Sequence, residues 1–345
     1  MKALVYDGSG KPLWAEMAEP VLHDDTDVIV RVDTTTICGT DLHILAGDLP
    51  EVSVGRALGH EAVGTVVQAG AAVRTRRPGD RVLLSCISAC GSCRYCREAR
   101  YGQCLGGGGW ILGHHIDGTQ AEFVRVPFAD MSTYAMPHGV SDEQMLMLAD
   151  ILPTAFEVGV LAGNVVPGDV VTIVGAGPIG LASILAARLF SPRQLVAVDP
   201  VESRRQAATR FGADAVTDIP ADDTVRMLTE GLGADVVIEA VGRPESFENA
   251  VALARPGGHV ANIGVHGHPA TLHLEQVWAK DLTITTGLVD THSIARLIGL
   301  VADRRLDTTA MITHRFPFDE FEAAYDVFAR PVQTGALKVV LTRTG

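Results

Sequence analysis

Positive charge is in short supply along this chain. Lys and Arg number 28 against 41 Asp and Glu, so the 345 residues carry 28 − 41 = −13 formal charges. Nucleic-acid affinity rests on neutralising phosphates with cations, so no nucleic-acid partner is expected. Aromatic residues are scarce too, at 5%, which removes the stacking platforms used on single strands. The opening MKALVYDGSG lacks the apolar core of a secretory signal, and the cytoplasm is the expected location. One uncharged run, Val170 to Ala187, has the length of a short membrane span. Gly175, Gly177, Pro178 and Gly180 interrupt it, so it reads as strand, turn and helix, and no membrane association is expected. No internal repeat or low-complexity tract is visible. What remains is 47% hydrophobic and 20% charged, ample for a buried core. The length suggests about two domains.

Cysteine is the informative residue. Four of the six fall in the pattern Cys90-x2-Cys93-x2-Cys96-x7-Cys104. Short Cys-x2-Cys spacings let neighbouring thiolates converge on one tetrahedral ion, and Gly91 and Gly102 permit the turns. An iron–sulfur cluster also takes four cysteines, but the wide last gap and the missing Pro after Cys104 favour zinc. Four thiolates leave no open coordination position, so this zinc is structural. Cys86 has no partner left and is expected to be buried and inert. His114, His115, His266, His268 and His273 are scattered and expected at the surface.

Residues 1 to about 150 carry many short β-rich runs, among them Val28–Val32, Ala62–Val67 and Arg81–Leu84, separated by turns such as Pro78-Gly79-Asp80. Ser141-Asp142-Glu143-Gln144 is a capping box opening an apolar helix toward Asp150. Beyond Pro167 the texture changes. Strands at 170–174, 194–199, 235–240, 259–265 and 282–286 alternate with helices at 178–190, 202–211 and 244–254. That alternation predicts a doubly wound parallel α/β sheet. The tail has helices at 293–305 and near 319–329, and a last strand at 337–341.

Gly175-Ala176-Gly177-Pro178-Ile179-Gly180 sits between the first of these strands and its helix, the context a dinucleotide fingerprint needs. Its glycines allow a tight turn, close approach of a pyrophosphate and close helix–strand packing, with the phosphates on the helix N-terminus. Asp199 ends the next strand, 19 residues after Gly180. A carboxylate there accepts the ribose hydroxyls of NAD and repels the 2′-phosphate of NADP. Arg204 and Arg205 lie near enough to bind a phosphate and leave NADP as the alternative.

Two further motifs complete the pattern. Cys38-Gly39-Thr40-Asp41-Leu42-His43 is followed by Gly59-His60-Glu61-x2-Gly64-x5-Gly70-x2-Val73. With the four-cysteine lobe and the glycine fingerprint in the same order, the chain resembles the zinc-dependent medium-chain alcohol dehydrogenases over essentially its whole length. At Asp150 it resembles the bacterial secondary-alcohol branch, which has an Asp at this point. The resemblance implies a GroES-like β-barrel catalytic domain from residues 1–150, completed by 291–345, and a Rossmann nucleotide domain at 151–290. It implies two zinc ions per chain, the catalytic one on Cys38, His60 and Asp150. One thiolate and one carboxylate then balance the charge of Zn²⁺, leaving a site that binds and acidifies an alcohol.

Glu61 is ambiguous. Neighbours on a regular strand face opposite ways, so it is expected beside the metal, or on it only when water or substrate leaves. The alternative is a carboxylate held by a nearby Arg. Thr40 and His43 share a helical face, and by resemblance relay the alcohol proton to solvent. The resemblance also puts Thr154 and Ile263-Gly264-Val265 against the nicotinamide end, and Trp110 in the substrate cleft. The expected reaction is hydride transfer between a small secondary or primary alcohol and NAD, in a homotetramer or else a dimer. A polyol or threonine-type amino-alcohol dehydrogenase is the nearest rival. A zinc-free quinone reductase and a zinc-ribbon binding protein are the others.

Overall fold

Val28–Thr36, dense in Val and Thr, forms a nine-residue strand buried along almost its whole length. It is the spine of the first of two units in the computed structural model, which describes residues 1–343. That unit comprises residues 1–150 and those from 290 onward. The spine strand pairs antiparallel with Ala62–Ala69, Phe123–Val126 and Lys338–Thr342. Arg81–Leu84 and Thr133–Ala135 extend the sheet on one side, and Ile312–Pro317 on the other, to seven strands. A second sheet centres Lys2–Tyr6 between Pro12–Glu16 and Arg56–Ala57. Leu4, Val30, Ile37, Leu58, Leu112 and Phe321 fill the core between them. Each such side chain contributes about 1.5–3 kcal/mol on burial. The strand Ile312–Pro317 escapes the sequence reading because only one of its residues is fully buried, so its apolar signal is weak.

The second unit, residues 151–289, is a six-stranded parallel sheet. Its spatial order is Ala215–Thr217, Gln194–Val198, Val170–Val174, Ala234–Glu239, Ala254–Asn262 and Thr283–Thr286. This is the doubly wound arrangement expected, with its order reversing between Val170–Val174 and Ala234–Glu239. Val170–Val174 is buried throughout, as a central parallel strand is. The uncharged run from Val170 divides into that strand and the helix Pro178–Arg188.

Two local readings need correction. The fifth strand ends at Asn262, so Ile263–Val265 lie in the loop beyond it. The capping box at Ser141 forms, with Gln144 N–H donating to Ser141 Oγ at 3.2 Å. Its helix nevertheless stops at Leu146, and helical structure resumes at Ile151–Thr154 and continues as a π-helical stretch, Ala155–Leu161. Asp150 therefore lies in the break rather than on a continuous helix. The stretch Asp142–Leu161 is long and apolar enough to cross a membrane, but 78% of its most apolar window is buried.

Candidate functional site

The four-cysteine lobe gathers Cys90, Cys93, Cys96 and Cys104, whose sulfurs all lie within 4.8 Å of one another. None is disulfide-bonded. The Cys90 and Cys96 sulfurs are 3.9 Å apart. Two thiolates at 2.3 Å from one tetrahedral zinc stand about 3.8 Å apart, so the set fits that ion. Backbone N–H groups point at the sulfurs, Cys93 N–H to Cys90 and Leu105 N–H to Cys93, both at 3.4 Å. Burial pushes the Cys90 thiol up, but the Ser92 and Cys93 donors outweigh it and bring it down to about 6. Burial pushes Cys96 up to about 12. The Asp290 carboxylate accepts Gly102 N–H at 2.9 Å and ties the lobe to the C-terminal segment.

The second cluster draws on distant residues. Cys38, His60, Glu61 and Asp150 each present a donor atom within 4.8 Å of the others. Cys38 caps the helix Gly39–Ala46, and its N–H donates to the buried Asp41 at 2.9 Å. Its sulfur lies 3.8 Å from Asp150 Oδ2, which is 3.4 Å from His60 Nε2. Burial alone would depress the His60 imidazole, but the Asp150 and Cys38 groups outweigh it and hold it well above its ordinary value. A soft thiolate, an imidazole and a carboxylate converging in this way make a donor set that suits zinc.

Glu61 turns toward the cluster together with His60, against the alternation expected of a strand. The strand begins only at Ala62. Gly59, at φ +91°, bends the preceding backbone where a Cβ would meet Gln120 N at 2.8 Å. The cation that holds Glu61 is Lys338 rather than an Arg, with Nζ to Oε1 at 2.7 Å and both side chains buried. Burial raises Glu61 more than Lys338 lowers it, while Lys338 stays above its ordinary value because Glu61 overcomes its own burial. Glu61 Oε2 is buried without a hydrogen-bond partner among the described residues.

Thr40 and His43 do lie on one helix. Thr40 Oγ1 is 3.7 Å from the Cys38 sulfur, and the half-exposed His43 pairs with Asp48 at 2.8 Å. Trp110 meets the His60 ring edge-to-face, with centroids 6.1 Å apart. His114 is not at the surface as expected: it stacks on Trp110 at 4.2 Å and reaches Glu51 at 3.3 Å. Cys86 is buried as expected; its thiol donates to Asp150 Oδ1 at 3.7 Å, and burial together with the Asp150 carboxylate pushes it well above its ordinary value. Nothing in the linear order of Cys86, Trp110, His114 or Lys338 signals these contacts, because each arrives from a different element.

In the second unit the glycine turn is built for close approach. A Cβ on Gly180 would collide with the Gly175 carbonyl, whereas one on Gly177, at the helix N-terminus, would meet nothing within 4 Å. That open backbone heading an 11-residue helix, Pro178–Arg188, fits a pyrophosphate. Asp199 is buried, and its carboxylate accepts the N–H groups of Ala176 at 2.9 Å and Val201 at 2.8 Å. Arg204 and Arg205 both turn to Asp199: Arg204 faces the carboxylate at 3.8 Å, and Arg205 donates to the carbonyl at 2.7 Å. Thr154 ends the helical turn Ile151–Thr154. Val265 is 65% exposed.

Residues 24–137 match the family model of the alcohol dehydrogenase GroES-like domain, and residues 178–303 that of the zinc-binding dehydrogenases. An alcohol dehydrogenase of Cupriavidus necator is 37% identical, over 99% of this chain and 98% of its own. An L-threonine 3-dehydrogenase of Bacillus licheniformis is 31% identical over the same shares. The solved structure of zinc dependent alcohol dehydrogenase 2 from Streptococcus pneumonia is 41% identical, covering 100% of this chain and 99% of its own, with a TM-score of 0.96.

Proposed function

Because the chain belongs to the zinc-type medium-chain alcohol dehydrogenases, we propose that it interconverts a small secondary or primary alcohol and its carbonyl compound, using NAD. The observation that carries this reading is the convergence of Cys38, His60, Glu61 and Asp150. Cys38, His60 and Asp150 would hold the catalytic zinc, and Cys90, Cys93, Cys96 and Cys104 a structural one. The 175–180 turn and Asp199 would hold the dinucleotide. When bound, the zinc supplies Lewis acidity toward the alcohol oxygen and the nicotinamide supplies the hydride acceptor.

The chain's own residues do the rest. Thr40, beside Cys38, accepts the hydroxyl proton and passes it toward His43, whose exposed imidazole delivers it to solvent. Lys338 neutralises Glu61 and keeps that second carboxylate from adding its full charge to the cluster. Trp110, braced by His114, walls the cluster beside His60 and limits the bulk of the alcohol. Asp199 selects NAD by meeting the ribose hydroxyls. Its carboxylate faces Arg204, while its carbonyl and the Asp218 carboxylate hold Arg205, which draws both guanidinium groups away from service as a 2′-phosphate site.

A threonine-type amino alcohol is the second reading, supported by the likeness to the Bacillus licheniformis enzyme. A cytoplasmic setting suits the six free cysteines, which need reducing surroundings. Self-association, as a tetramer or else a dimer, suits the exposure of Trp278 at 78% and Leu274 at 60%. A screen of primary, secondary, polyol and amino alcohols with NAD and NADP, run with metal analysis, tests the proposal. Turnover of simple alcohols with NAD and two zinc ions per chain is the expected result. Turnover restricted to amino alcohols would select the second reading, and absence of metal would defeat both.

A further inference from the structure

Glu239 ends the strand Ala234–Glu239 and has no exposed surface. A carboxylate so placed is costly unless donors surround it. Three do, all at Oε1: Val241 N–H and Gly242 N–H at 2.9 Å and the Ser246 hydroxyl at 2.7 Å. Oε2 is buried without a hydrogen-bond partner among the described residues. His266 Nε2 lies 3.6 Å from it and is bonded instead to Asn262 Oδ1 at 2.9 Å. The backbone carbonyl of Glu239 accepts Ile263 N–H at 2.9 Å and Gly264 N–H at 3.1 Å. One residue therefore grips the loop after its own strand by its side chain, and the loop after the next strand by its carbonyl.

The grip leaves no slack. A Cβ on Gly264 would collide with Glu239 Oε2 and Gly242 N, and one on Gly242, at φ +81°, with the Val265 carbonyl. A Cβ on Gly175 would meet Val241 Cγ2 at 2.5 Å, so the 240–243 loop also abuts the glycine turn. All three loops leave the carboxyl ends of parallel strands, where open α/β sheets bind their ligands. The two halves of a dinucleotide take opposite sides of the point where strand order reverses. Asp199 follows the second strand on one side, while Glu239 and the 263–266 loop follow the fourth and fifth on the other.

We propose that Glu239 is a positioning residue for the nicotinamide half of the dinucleotide: it clamps the 240–243 loop, with the first turn of the helix Pro244–Leu253, onto the 263–266 loop and fixes that rim of the crevice. The inference rests on the NAD reading. Burying a carboxylate to hold two loops has a purpose if the loops must present a rigid edge to a ligand, since a hydrophobic residue would fill the space without the desolvation cost.

The test is fluorescence titration of purified wild type, Glu239→Gln and Ser246→Ala with NADH, paired with calorimetric titration with ADP-ribose, which lacks the nicotinamide. Glu239→Gln keeps the shape and an oxygen for the three donors at Oε1, but it removes the charge that strengthens those bonds and sets an amide NH2 at the buried Oε2 position, which has no hydrogen-bond partner among the described residues. NADH binding should weaken about tenfold, and ADP-ribose binding should stay within about twofold. Ser246→Ala removes one of the three donors at little risk to folding, and should weaken NADH about threefold with the same split. If Glu239→Gln is insoluble, Ser246→Ala decides alone. Unchanged NADH binding, or equal losses for both ligands, overturns the clamp. Wild-type protein that binds neither ligand overturns the dinucleotide reading, and the clamp with it.

Discussion

The two candidate metal clusters of the first unit draw on the same kinds of donor and are assembled in opposite ways. The four-cysteine lobe takes its donors from residues 90–104, a stretch short enough to close on itself through turns. The Cys38 cluster takes its donors from residues 38, 60, 61 and 150, held by a helix cap, an irregular turn and a break between helices. The lobe is a local object, with neighbouring N–H groups pointing at the sulfurs of Cys90, Cys93 and Cys104. The Cys38 cluster exists only when the whole sheet, including Lys338 from the last strand, has closed around it. A local site can be lost without moving the distant one, so the first should govern stability and the second chemistry.

The sharpest way to break this comparison is Cys38→Ser. Turnover should disappear while one zinc per chain remains, held by the lobe. A normal rate would remove Cys38 from the chemistry altogether. Next comes the pair Asp150→Asn and Glu61→Gln, compared for bound zinc and kcat. Asp150→Asn deletes a charge that balances the ion and should lose the catalytic zinc. Glu61→Gln should cost about 10–100-fold in rate with the metal retained. Should Glu61→Gln lose the metal while Asp150→Asn keeps it, their roles must be exchanged.

Cys93→Ser turns the question to the lobe. Structural zinc binding is coupled to folding, so the melting temperature should fall by more than about 5 °C. Calorimetry beside a steady-state assay checks whether kcat of the surviving fold stays near wild type. A variant with normal melting and collapsed kcat would reverse the assignment of stability to the lobe.

The smallest effect concerns the frame that carries Asp150. Arg315, from the C-terminal segment, holds Glu143 of the Ser141-capped helix through two bonds at 2.5 and 2.8 Å. Its guanidinium lowers the Glu143 carboxyl below the ordinary value of 4.5. A depressed carboxylate contributes stability above its unfolded value, and that stability is lost as pH falls through its folded value. Arg315→Met should therefore cost about 0.5–1 kcal/mol at neutral pH and little in acid below that window. Urea denaturation at the two pH values measures it, and an equal loss at both would exclude the ion pair as the cause.

What could be read in the linear chain follows the same division. The lobe, the glycine turn and the alternating strands of the second unit are legible because each needs only neighbours in sequence: a Cys-x2-Cys spacing, a strand–turn–helix, a period of hydrophobic residues. Cys38, His60 and Asp150 came only through likeness to a family, since nothing in their spacing brings them together. Tertiary structure alone decided the rest. It turned Glu61 inward beside His60, because Gly59 breaks the alternation a strand would impose. It supplied Lys338, not an Arg, as the cation that holds Glu61, and set Cys86 against Asp150. It buried His114 behind Trp110, and it made Glu239 the joint between two loops. Each of these depends on which elements meet, and meeting is decided by sheet register and core packing rather than by any short run of residues.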